Sequence, residues 1–372
     1  MTHIPYETPG VPAELSAPKT GLMVFGIIMI IMGSLAGCFA ILTPLSLVMM
    51  SLVPAPQRAN VPQSLEYRSI IASGMMYLLF SVALIWTGIG SVRARRWVPP
   101  VVKSVCTIVL VAGIIFTIAT AWRLPRIGTV MQMSMSAARA PSSAPSSAAA
   151  GTPSLPPPPA VTAVSSTVTA IAITAGVLVA VLFYIVIPGV FLWYYRKESV
   201  RNAVEFFDPH PRWTDGVPMP VMILGMCTLI SGVWLLFPAI TGLFPAFGTY
   251  IRGTPALVIW IVLGVIQILA ALGMFKMKMG AWFLAIGTLT VLTASALMTA
   301  LRVDPDTYYQ MMQISDEQRE ILRAAGTLTP TSVAVMGILT YTLFLGFALY
   351  ALKSLRRAAA LPGGTGEIGS TT

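Results

Sequence analysis

Apolar runs of about twenty residues recur along the whole chain, and they leave few folds open to it. A bilayer core about 30 Å thick is crossed by an α-helix of about 20 residues. The runs lie near 21–44, 69–92, 98–122, 167–195, 219–247, 256–275, 281–301 and 332–352. They are continuously apolar, whereas strands of a membrane barrel alternate apolar with polar residues in segments of about ten. The expected fold class is therefore an all-α membrane protein with eight transmembrane helices. Composition agrees, since only 10% of the residues are charged, against roughly 25% in soluble domains. A net charge of +10 would suit nucleic acid in a soluble chain. Here the basic residues cluster at the ends of apolar runs, where they set topology. The bilayer is the first expected partner, and nucleic acid is not one.

The distribution of lysine and arginine orients the helices. With the N-terminus inside, 13 of them fall in inner segments and 9 in outer ones, with Lys103 inside the third helix. The tight clusters RARR, YYRK, KMK and KSLRR all fall on one side, as the positive-inside rule requires. Both termini are expected in the cytoplasm.

Matched positions suggest an internal duplication. Gly26 and Gly33 pair with Gly225 and Gly232 at an offset of 199. Gly88, Arg93 and Trp97 pair with Gly273, Lys278 and Trp282 at an offset of 185. Tyr184, Gly189, Leu192 and Arg196 pair with Tyr341, Gly346, Leu349 and Lys353 at an offset of 157. The offset changes only between helices, so the expected organisation is two tandem parallel four-helix repeats. That gives an N-terminal tail over 1–20, a first copy over 21–195, a connector over 196–218, a second copy over 219–357 and a flexible tail over 358–372. Trp97 and Trp282 are expected to anchor their helices at the membrane interface. The Pro/Ser/Ala tract at about 137–160 cannot build a core and reads as a disordered outer loop.

The connector is the most distinctive polar stretch. An amphipathic segment over 197–207 puts Val200, Val204 and Phe207 on one face and is expected to lie on the membrane surface. Four prolines then stiffen a run carrying Asp208, His210, Arg212, Trp213 and Asp215, the candidate binding residues. Arg212 is expected to pair with Asp208 or Asp215, and Trp213 to pack at the interface or on the fifth helix. The string "DPHPRWTDGVPMP" resembles the connector of a loosely defined group of uncharacterised bacterial multi-pass membrane proteins. That resemblance implies a multi-pass fold in a bacterial inner membrane and carries no activity, cofactor or site with it.

Three functional readings follow. No Asp, Glu or His lies inside any span, so neither an intramembrane enzyme nor a cofactor is expected. The leading reading is a non-catalytic scaffold, assembly factor or sensor whose connector meets a protein partner. A second is a carrier for a neutral or apolar solute at the repeat interface. Gln267 would be its midplane polar group, and Pro188 or Pro238 would free backbone carbonyls there. A third is Cu(I) binding on the outer side by the thioethers of Met131, Met133 and Met135. The orientation predicts that reporters active only in the periplasm stay silent after Arg96, Trp213 and Arg357 and are active within 137–160. Activity at Trp213 would reverse the topology.

Overall fold

The computed structural model describes residues 13–52, 63–139, 171, 174–311, 319 and 330–359. Among these residues, eight helices are long and apolar enough to cross a bilayer. Four belong to the first half: α1 (Ala13–Leu52), α2 (Gln63–Val92), α3 (Val98–Arg139) and α4, whose span is Thr174–Tyr195. A short helix, α5 (Glu198–Phe207), follows. The second half holds α6 (Met219–Leu235), the single turn α7 (Pro238–Thr241) and the strands β1 (Leu243–Ala246) and β2 (Thr249–Arg252). It continues with α8 (Thr254–Phe275), α9 (Met279–Arg302), α10 (Pro305–Met311) and α11 (Pro330–Ala359). Large apolar side chains such as Ile41, Leu178 and Val291 point outward, as helices solvated by lipid require. The protein is an integral membrane protein.

Between such helices the hydrophobic effect supplies little attraction, and close packing takes its place. α1 lies against α2, and α6 against α8. Glycine makes both approaches possible. Gly26 rests on Val92 and the Gly88 carbonyl, and Gly33 on Ile85 and the Ser81 carbonyl. In the second half Gly225 rests on Phe275, and Gly232 on Ile268 and the Gly264 carbonyl. α3 then packs on α4, α9 packs on α11, and α3 meets α6 between the halves.

The turns from α2 to α3 and from α8 to α9 share one geometry. The Arg95 N–H donates to the Gly90 carbonyl (2.9 Å) and the Ala94 N–H to that of Ser91 (2.9 Å). In the second turn Lys278 donates to Gly273 (3.0 Å) and Met277 to Met274 (2.9 Å). Ala94 and Met277 both take positive φ, 48° and 56°. This is the left-handed cap that closes a helix C-terminus. Each pair of equivalent residues is 183 apart in the chain, as are Val92 and Phe275, and Ile85 and Ile268. The backbone geometry of the two turns thus matches at 183, whereas the side-chain letters match at 185. The latter match follows a basic-then-tryptophan pattern, but the tryptophans do not occupy equivalent places. Trp97 precedes α3 and stacks on Trp86, with ring centroids 4.6 Å apart. Trp282 lies one turn inside α9, 6% exposed, and donates Nε1–H to the Ala348 carbonyl of α11 (3.1 Å). It secures a helix pair and is not a lipid-facing anchor.

Other boundaries also differ. α1 begins at Ala13, inside the expected tail, because Ala, Glu and Leu favour helix and α5 offers a packing surface. α3 continues to Arg139, so Met131, Met133 and Met135 lie on a helix; their side chains fall outside the described residues, as does the tract over 140–160. The expected fifth helix over 219–247 stops at Leu235, and a β-hairpin follows where no strand was anticipated. Its two-residue turn, Phe247 (φ 47°) and Gly248 (φ 106°), has the paired positive φ that matches strand twist. Any side chain at 248 would also strike Arg302. Two hydroxyls of α9 hold the hairpin tip. Ser295 Oγ donates to the Pro245 carbonyl (2.6 Å) and accepts the Phe247 N–H (3.0 Å), while Thr299 Oγ1 accepts the Gly248 N–H (3.0 Å).

Candidate functional site

The connector begins with α5, whose sequence alternates apolar and charged residues at helical spacing. Its apolar face, Val200, Ala203 and Val204, is buried against Leu22 of α1, Val98 and Val102 of α3 and Tyr195 of α4. The helix thus turns that face to the protein, where the sequence suggested a lipid surface. Phe207, at its end, sits under the Lys19 ammonium, 4.4 Å from the ring centroid. Next to this cluster the Tyr194 hydroxyl donates to the Pro18 carbonyl (2.8 Å), and Ser91 Oγ donates to that of Leu22 (2.8 Å) while hydrogen bonding to the Tyr195 hydroxyl (2.6 Å).

Asp208 ends α5 and is 3% exposed. A carboxylate so placed must be compensated, and Asp208 gathers donors from two parts of the chain. Arg212 reaches it as a fork, Nη2 to Oδ1 at 2.9 Å and Nε to Oδ2 at 3.1 Å. The Arg96 backbone N–H donates to Oδ2 (3.2 Å), and Arg95 Nη1 lies 3.8 Å from Oδ1. Arg95 and Arg96 belong to the α2–α3 turn, more than a hundred residues earlier. Asp215 completes the clasp, Oδ2 accepting Arg96 Nε (2.9 Å) and the Arg212 backbone N–H (2.9 Å). Glu205 pairs with Arg201 at 2.9 Å and approaches Arg96 at 3.9 Å. The Arg212 guanidinium holds the Asp208 carboxyl below its ordinary range; burial opposes this, and the Arg96 N–H adds to it. Asp208 in turn raises Arg212 further, so both stay charged.

The far end of the connector meets the second half. Trp213, half-exposed, packs on Phe275 at the end of α8 (centroids 5.3 Å apart), and Val217 joins the core formed by α6, α8, α9 and α11. Thr214 is buried between these contacts, and His210 is exposed beside them. Arg212 takes both acids suggested for it, Asp208 through its guanidinium and Asp215 through its backbone. Arg95 and Arg96 were not recognised as site residues, because a basic cluster at a helix end already had a topological explanation. The available signal was the scarcity of acids nearby: Glu198, Glu205, Asp208 and Asp215 all lie in the connector. Gln267 is apart from the clasp, 2% exposed, and donates its amide to the Ala285 carbonyl (3.2 Å), tying α8 to α9. α4 widens to a π-turn over Leu182–Val186, where the Ile187 N–H reaches the Leu182 carbonyl, just before Pro188 breaks the regular ladder.

Fold and site together define an eight-span integral membrane protein whose described charged network lies at one end. No protein-family model, no curated protein and no solved structure matches this chain.

Because the Asp208 carboxyl is depressed in the folded protein, its stabilisation is complete above the unfolded value of about 3.9 and is lost as pH falls through the lower folded value. Asp208→Asn should lower the thermal midpoint in detergent by several degrees at neutral pH. The difference from the unsubstituted protein should close on acidification below about pH 4. A gap unchanged by acid would contradict the ion-pair account.

Proposed function

We propose that this protein is a non-catalytic membrane scaffold, of the assembly or sensor type, whose connector fixes two tandem four-helix copies beside one another. We also propose a bacterial inner membrane, with both termini and the connector in the cytoplasm. The observation that carries the functional reading is the engagement of the connector. Asp208 and Asp215, the carboxylates best suited to acid–base work, are committed to Arg212 and to the α2–α3 turn. Trp213 is committed to α8. Support for the duplication is the recurrence of the capped turns at a separation of 183 and of the glycine contacts at 199. The carrier reading keeps one point in its favour, the π-turn before Pro188, since widened turns are frequent at functional places.

Trp213→Ala and Asp215→Asn test the proposal. If the connector serves only the fold, both lower thermal stability in detergent by several degrees. If its exposed face also receives a protein partner, Trp213→Ala spares stability and removes a specific co-purifying protein. A protein unchanged in both respects would make the connector a passive linker and defeat the proposal.

A further inference from the structure

Three cations of the connector end, Arg95, Arg96 and Arg212, bind the acids of the clasp. A second basic group lies at the same end of the first half. Lys103 stands on the second turn of α3, roughly 8 Å along the helix from its start at the 1.5 Å rise per residue. Its neighbour Val102 shares a buried core with Val200, which places α5 alongside. Arg196, the C-cap of α4, follows Tyr195 of that core, and Arg201 of α5 follows Val200, so the three cations stand around the edge of one core. Among the described residues no salt bridge joins Lys103 or Arg196 to an acid. Arg201 shares its charge with Glu205 and feels Glu198, yet its side chain remains 76% exposed.

The depth of this group matters. Lys103 is half-buried within a membrane span, and a lysine there extends its stem to bring the ammonium to headgroup level. Trp193, 65% exposed on the last turn of α4, marks the same level, and Lys197 lies 3.8 Å over its ring. Three cations around one core repel one another, and Glu205 meets only Arg201 of the three. At this depth the bilayer supplies a further anion, the phosphodiester of an anionic headgroup.

We propose that Lys103, Arg196 and Arg201 form a binding site for the phosphodiester group of an anionic phospholipid.

The full chain in phosphatidylcholine nanodiscs provides the test, with phosphatidylglycerol titrated in and lipid retention read by native mass spectrometry beside the thermal midpoint. Phosphatidylglycerol should be retained in preference to phosphatidylcholine and should raise the midpoint. Removing two interfacial cations in the double variant Lys103→Gln/Arg196→Gln should weaken retention on the order of tenfold. Arg93→Gln, exposed at the same end but outside the group, should leave retention intact. Arg196→Gln alone, at an exposed position, should show part of the loss even if the double variant folds poorly. Equal retention by the protein and both Arg196 variants would overturn the site. A midpoint shift reproduced by inorganic phosphate in phosphatidylcholine alone would overturn the lipid assignment in favour of a soluble anion.

Discussion

Burial of one carboxylate, Asp208, organises the connector end of this molecule. A charge removed from water is tolerated only when donors surround it, and losing one partner leaves the other charge uncompensated. Asp208 meets this demand with the forked guanidinium of Arg212 and the backbone N–H of Arg96, with the Arg95 guanidinium nearby. One donor set is four residues away in the chain and the other more than a hundred. Satisfying the carboxylate therefore brings the connector onto the α2–α3 turn. Asp215 adds a second tie to Arg96, and Trp213 then comes to rest on Phe275.

The rest of the bundle follows from a different rule. Lipid-exposed helices gain little from hiding apolar surface, so close approach at glycine and buried hydrogen bonds hold them. The Gly26–Gly88 and Gly232–Gly264 crossings supply the first. Trp282 to Ala348, Gln267 to Ala285 and the hydroxyl bonds of Ser91, Tyr194 and Tyr195 supply the second. At the end opposite the clasp, Ser295 and Thr299 secure a hairpin in the same currency. The second half is thus stitched at both ends by polar groups, although its spans are almost wholly apolar.

What the sequence revealed, and what it hid, divides along the range of the interactions. Spans were legible because a bilayer imposes length and hydropathy locally. The pairing of Asp208 with Arg212 was legible because four residues of separation suffice to bring them together. Arg96 was not, since its partner is remote and its charge already had a topological explanation. The hairpin escaped notice because its turn is Phe247–Gly248 inside an apolar run, without the Asn-Gly or Asp-Gly signal. Its anchors, Ser295 and Thr299, resemble ordinary helix residues until the hairpin is seen above them. The α2–α3 and α8–α9 turns match at 185 by their side-chain letters and at 183 by their backbone geometry. The backbone cap, with Ala94 and Met277 both at positive φ, is invisible in those letters.

The central claim is that the connector and the α2–α3 turn act as one unit through their charges. A double-mutant cycle of Arg96→Gln and Asp215→Asn, read by unfolding in mixed micelles, tests it most directly. Their side chains meet at 2.9 Å and are each about a quarter exposed. The account predicts non-additivity of roughly 1 kcal/mol, the upper range for a partly buried pair with defined geometry. Strictly additive effects would mean that the two segments merely lie side by side, and would contradict the account.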